Sequence, residues 1–193
     1  MSTAFLKKFL QQSGIINELV ADEIAAQFKA VSYRRNDFFL KEGQACNEYL
    51  FIERGFMRAF AVDTDGNDVT TNFYTEGQVV FEVSSFFNRT RSLENIQCLA
   101  DTMGYVLTFE ELNGLFHSLP AFREFGRMVL VRGFSQLKLR TLSMITKTAE
   151  QRYLDLLATN PHILQLAPLK QVASYLGITD TSLSRIRKEL SRK

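Results

Sequence analysis

The stretch PLKQVASYLGITDTSLSRIRKELSRK, residues 168–193, admits few folds. Leu169, Val172, Ala173 and Leu176 fall at i, i+3, i+4 and i+7, the buried stripe of an amphipathic helix. Pro168 suits that helix's first turn, where a missing N–H leaves nothing unpaired. Gly177 supplies a residue fit for a left-handed C-terminal cap. Thr179 then offers an N-cap hydroxyl to a second helix, whose apolar stripe is Leu183, Ile186 and Leu190. Two short helices joined by a glycine-containing turn form a helix-turn-helix. The second helix's other face carries Thr181, Ser184, Arg185, Lys188 and Arg192 at offsets of three or four, with Ser182 beside them. Short hydroxyls and long cations are the groups that contact phosphates and base edges. Helix 180–191 is therefore the candidate reader of double-stranded DNA.

Charge points the same way. The chain has 23 basic and 21 acidic residues, a net of +2. Residues 184–193 alone hold Arg185, Arg187, Lys188, Arg192 and Lys193 against Glu189, so the rest of the chain is slightly acidic. A compact cationic tip on an acidic body is a nucleic-acid footprint. The competing reading is a solvated terminal helix whose cations complement its own dipole. Arg185, next to the buried stripe but pointing away from it, is the expected base reader. Lys188 and Arg192, further along the same face, are expected on phosphate. Asp180 sits where it favours the helix N-terminus.

The segments ASYLGITDTSLSRIRKEL (173–190) and AEQRYLDLLATNP (149–161) resemble the helix-turn-helix of Crp/Fnr-type bacterial transcription regulators, most closely the shortened ones. The match is specific over 149–190. Over the amino-terminal two thirds it is one of layout. Two features of the fuller family are missing: HILQLA before Pro168 is too short for a strand pair, and no wing hairpin is expected after the reader helix.

Towards the amino terminus, residues of about 3–28 read as two short helices, carried by Phe5, Leu6, Phe9 and Leu10, then by Ile24, Ala25 and Phe28. Asp22 is expected in the first turn of the second. From Val31 the apolar period changes to two. VSYR, DFFLKEG, EYLFIERG, FMRAFAVD, DVTTNFY and GQVVFEV are separated by Gly43, Gly55, Asp65-Gly66 and Gly77, with ENIQCLAD and MGYVLTF following. Asp65-Gly66-Asn67 is a hairpin signal. Strands so evenly spaced predict a compact antiparallel roll or barrel. Thr108-Phe-Glu-Glu111 has capping-box spacing and opens a helix to about Phe116.

Residues 120 to about 146 are the longest helical stretch. Phe122, Phe125, Val129, Leu130, Phe134 and Leu137 spread over more than one face, with Met128, Val131, Leu142 and Ile145 widening it. Such a helix must be buried on both sides. A second copy of itself is the simplest partner, giving a two-fold homodimer through 120–146. The other reading is burial within one chain. The expected class is α+β: an antiparallel β-roll, a dimerisation helix and an α-helical C-terminal domain, divided as 1–119, 120–146 and 147–193.

Roll and helix together are similar to the cyclic-nucleotide-binding domain of the same family. That resemblance places ligand groups in VVFEVSSFFNRTRSLENI: Glu82 on the ribose, Arg91 and Ser92 on the cyclic phosphate. Phe81, however, replaces the glycine that lets a ligand approach. The loop is one residue short, and Glu94 adds negative charge beside a phosphate. These departures argue against a cyclic nucleotide, and no cofactor is called for. A different small-molecule effector and a roll without a ligand remain as alternatives.

Other chemistries have little support. His117 and His162 are isolated, Cys46 and Cys98 lie far apart without a CxxC, and no P-loop or GxGxxG occurs. No metal site, catalytic dyad or enzyme activity is expected. The chain has no apolar run near 18 residues and no secretory pattern in MSTAFLKKFLQQ, so a cytoplasmic protein without a membrane partner is expected. The resemblance implies a dimeric, DNA-binding transcription regulator with a palindromic operator, RNA polymerase as a partner and an effector in the roll. The rival is a cyclic-nucleotide or other small-ligand sensor that acts through protein contacts rather than DNA.

Overall fold

The computed structural model describes residues 3–191. Two helices open the chain, α1 (Ala4–Gln11) and α2 (Glu18–Gln27). The second begins earlier than the sequence suggests, because Asn17 Oδ1 accepts the Val20 N–H and sets the cap. Asp22 therefore lies past the first turn, where it pairs with Lys7 of α1.

Eight strands follow: β1 (Lys29–Tyr33), β2 (Phe38–Leu40), β3 (Glu48–Arg54), β4 (Met57–Val62), β5 (Asp68–Tyr74), β6 (Val79–Val80), β7 (Asn95–Cys98) and β8 (Thr102–Thr108). They form two antiparallel sheets, ordered β1-β8-β3-β6 and β2-β7-β4-β5. The β4–β5 hairpin turns where Asp65-Gly66 predicts it. Asp63 Oδ1 accepts the N–H groups of Asp65 and Asn67, and Gly66 takes a positive φ of 81°. Gly55 is required for a second reason: a Cβ there would strike the side chain and backbone of Thr102.

A short helix, α3 (Val83–Asn88), interrupts the roll after β6, and α4 (Phe109–Ser118) leaves it after β8. The Thr108–Glu111 capping box is formed in full. Helix α5 (Pro120–Thr146) then runs for 27 residues. Its first turns bury Phe122 and Phe125 in the roll's core, where Phe125 meets Phe9 edge-on. Between Leu130 and Thr146 only Arg140 and Ser143 are half-buried and every other residue is exposed.

The carboxyl-terminal part holds α6 (Ala149–Thr159), α7 (Ile163–Leu166), α8 (Leu169–Tyr175) and α9 (Asp180–Leu190). A second capping box, Thr148 with Gln151, starts α6. The segment HILQLA is the single turn of α7 rather than a strand pair. Pro168 stands one place outside α8, as its N-cap. Leu156, Ile163, Val172, Ala173, Leu176 and Leu183 make a second apolar cluster, and it includes Phe56 and Phe73 from the roll. The roll and the helix-turn-helix thus share side chains across β5.

Candidate nucleic-acid interface

The reader pair, α8 and α9, forms as its sequence predicts. Gly177 adopts φ 66° at the end of α8, and a side chain there would collide with Met144 of α5. Thr179 Oγ1 accepts the Ser182 N–H at 3.2 Å, capping α9, while Asp180 lies in the first turn. Leu183 is fully buried, with Ile186 and Leu190 half-buried beside it. That anchoring turns Thr181, Ser182, Ser184, Arg185 and Lys188 outward, and all five are exposed. Arg192 lies outside the described residues. One qualification comes from Ser182, whose Oγ is 2.9 Å from Thr179 Oγ1 and so is engaged in the cap. None of the exposed cations of α9 is tied up in an ion pair with an acidic neighbour among the described residues. The face is open to an anionic partner.

The roll's proposed ligand residues are arranged differently. Glu82 is the N-cap of α3, its carboxylate accepting the N–H groups of Ser84 at 3.1 Å and Ser85 at 2.6 Å. Ser92 is buried, with Oγ donating to the Glu94 carbonyl and accepting the Glu94 N–H. Arg91 is exposed, bridged through its backbone to Ala45. These three residues are near in sequence, and the Glu82 and Ser92 side chains are engaged in local hydrogen bonds. Phe81, half-buried, packs 5.3 Å from the Tyr49 ring, 5.5 Å from Phe86 and 5.9 Å from Phe87. Tyr49, Phe81, Phe87 and Phe122 border a crevice of about 10 Å³, room for roughly one water, which none of Glu82, Arg91 or Ser92 lines. A more open depression of about 250 Å³ lies along residues 39–48 and is lined by none of Glu82, Arg91 or Ser92.

Burial raises the Glu94 carboxyl above its ordinary range, and the neighbouring Glu82 carboxylate adds to the shift, while Thr71 and Arg140 oppose it. Tyr74 is pushed up to about 12 by burial and by the same two carboxylates. Arg89 turns away in a left-handed conformation. It donates to the Cys46 carbonyl at 3.1 Å and to Asn47 Oδ1 at 2.5 Å, and stacks over Phe109.

Comparison with known proteins follows the same division. Residues 30–118 match the family model of the cyclic nucleotide-binding domain. FixK2 from Bradyrhizobium japonicum superposes with a TM-score of 0.73 at 17% identity, over 86% of this chain and 85% of that one. A protein assigned to the Crp/Fnr family of transcriptional regulators, from Eubacterium rectale, gives 0.71 at 12% identity, over 95% and 88%. The c-di-GMP-responsive global regulator CLP of Xanthomonas campestris gives 0.67 at 14%, over 99% and 92%. The chain has the Crp/Fnr fold. No curated protein matches the sequence. Among the described residues no helix is long and apolar enough to cross a membrane.

Two groups of this Crp/Fnr-fold chain escape a reading of the sequence. Arg58 is 3% exposed, paired with Asp68 at 2.8 Å and stacked 3.9 Å over Phe60. In FMRAFAV it reads as the solvent side of an alternating strand, yet it lies cross-strand from Phe73, which the helical domain covers. Arg140 reads as one more cation on α5, but its guanidinium is docked on the roll and on α8. The polarity of Arg140 amid the apolar run of α5 was the available signal.

Proposed function

We propose that the chain is a dimeric transcription regulator that reads a palindromic operator with helix 180–191. The observation that carries this is the α9 face: Leu183 fixes the helix inward while Thr181, Ser184, Arg185 and Lys188 stand free. A helix held this way presents its N-terminal half to a major groove. The homodimer is supported by α5, where Phe134 is 70% and Ile145 75% exposed, with Leu130 and Leu137 on the same stripe. Apolar area on that scale is rarely left in water, and a two-fold pairing of α5 would bury it. In this reading residues 1–119 are a sensor-like roll, 120–146 the connector and 147–193 the DNA-binding domain. The roll is closed to cyclic nucleotides by Phe81 and the Glu82/Glu94 pair. The experiment is selection of bound genomic fragments by the full chain, with sedimentation at micromolar concentration. The expected species is about twice 22.1 kDa, bound to a two-fold symmetric site. Phe134→Glu should shift it to monomer and weaken operator binding at least about tenfold. A monomer that still binds a palindrome tightly overturns the dimer, and no enrichment of any fragment overturns the regulator.

A further inference from the structure

β5 is an edge strand, and its free backbone groups need partners. The reader pair supplies them. Ser174 Oγ, on α8, accepts the Thr70 N–H at 2.8 Å and donates to the Asp68 carbonyl at 3.2 Å, as a neighbouring strand would. Arg140 completes the contact from α5. Its Nη1 donates to the Thr71 carbonyl at 2.7 Å, and its Nη2 to the Tyr175 carbonyl at 3.0 Å. The guanidinium also lies 4.3 Å from the centre of the Tyr175 ring, which in turn packs 5.2 Å from Phe73. Tyr175 ends α8, so its carbonyl is one of the unpaired groups at the negative pole of that helix, where a cation is favoured. One side chain therefore ties the roll, the connector and the reader pair together.

We propose that Arg140 and Ser174 are positioning residues that lock the reader pair to the edge of β5, and so fix the separation and orientation of the two α9 helices in the dimer. The inference rests on the reading of the chain as a dimeric DNA-binding protein. A palindrome is gripped by two helices about 34 Å apart, and the second contact gains from the first only if geometry holds both in register. A single half-site asks nothing of the latch. Neither residue lies on the exposed face of α9, so their loss leaves the DNA-contacting groups intact.

The test pairs two DNAs and one direct readout. Arg140→Ala/Ser174→Ala should lose about tenfold or more in affinity for the palindrome, and keep half-site affinity within about twofold. It should also lose the wild-type preference for the correct half-site spacing over a one-base-pair insertion. Arg140→Lys should behave like the alanine variant, since an ammonium does not span two carbonyls as a guanidinium does. Wild-type affinity and spacing preference in the double variant overturn the proposal, as does an equal loss on both DNAs. Hydrogen exchange of the full chain without DNA tests the latch independently. The Thr70 amide should exchange about tenfold faster in Ser174→Ala, and unchanged exchange overturns the latch. Should the wild type bind neither DNA, the regulator reading fails, and the exchange result alone decides the latch.

Discussion

The helix-turn-helix and the roll interior belong to one fold but treat their polar groups in opposite ways. In the reader pair the apolar residues are few and the polar ones are left free. Leu183 and the α8 stripe carry the packing, while the hydroxyls and cations of α9 remain exposed. In the roll two of the three polar groups expected to meet a ligand are engaged internally, while Arg91 is exposed. Glu82 caps α3, Ser92 closes a turn on Glu94, and Phe81, Phe86 and Phe87 pack edge to face on one another. A shared fold does not by itself carry a shared site.

The comparison breaks most visibly if the roll interior is a pocket rather than a core. Phe86 is fully buried and touches Phe81, Phe87 and Phe109. Phe86→Ala should cost about 3–5 kcal/mol in denaturant unfolding. A loss under about 1 kcal/mol would mean the rings collapse into an empty site, and the contrast with the reader pair would fall.

Glu94 gives a smaller effect with a definite sign. Its folded-state proton affinity is raised, chiefly by burial, from an ordinary value of 4.5. The protonated carboxyl is the better tolerated form in the fold, so its contribution is present below the unfolded value and is lost as pH rises through the folded one. Wild-type stability should fall relative to Glu94→Gln as pH climbs above about 4.5, and the two should converge in more acid solution. Thermal melts from pH 3 to pH 8 read this (about five points suffice). A wild type that gains on the variant towards neutral pH would mean that Thr71 and Arg140, which favour the charged carboxylate, outweigh burial.

The smallest expected effect is none at all. Calorimetric titration with cyclic AMP should show no heat of binding at micromolar concentration, because Phe81 stands where the resemblance expects glycine and the Glu82 carboxylate is committed to capping α3. Micromolar binding that disappears in Arg91→Ala would show that Phe81 swings aside and that Arg91 turns inward.

What the sequence made legible follows from where each signal is encoded. The α8–α9 pair is written locally: the period of three and four, Gly177 and the Thr179 cap lie within a dozen residues. The eight strands were legible too, through alternation and the glycine turns, as was the Thr108 box. The start of α2 was missed because Asn17, not the Asp22 carboxylate, sets it. That Phe81 stands where the resemblance expects glycine was readable, and its ring packs on Tyr49, Phe86 and Phe87. That Glu82 would cap α3 depended on backbone geometry. Arg140 and Arg58 were illegible for a deeper reason. Arg140 meets carbonyls of Thr71 and Tyr175 brought near by docking of distant segments, and Arg58 meets Asp68 across the β4–β5 hairpin. No local period reports such a contact.

The claim that α9 reads bases is tested most directly by two of its exposed cations, Arg185 and Lys188. Arg185 sits one residue from half-buried Ile186 and two from buried Leu183, and a guanidinium can bond O6 and N7 of one guanine, worth about 1–3 kcal/mol of discrimination. Lys188, one turn on, should meet phosphate. Affinities of Arg185→Ala and Lys188→Ala for a matched and a mismatched operator, across a salt series, separate these roles. Arg185→Ala should lose discrimination at one base pair per half-site, whereas Lys188→Ala should weaken both DNAs alike and reduce the salt slope by about one for each phosphate no longer neutralised. If Arg185→Ala weakens both DNAs equally, Arg185 binds phosphate and the assignment of the base reader is wrong.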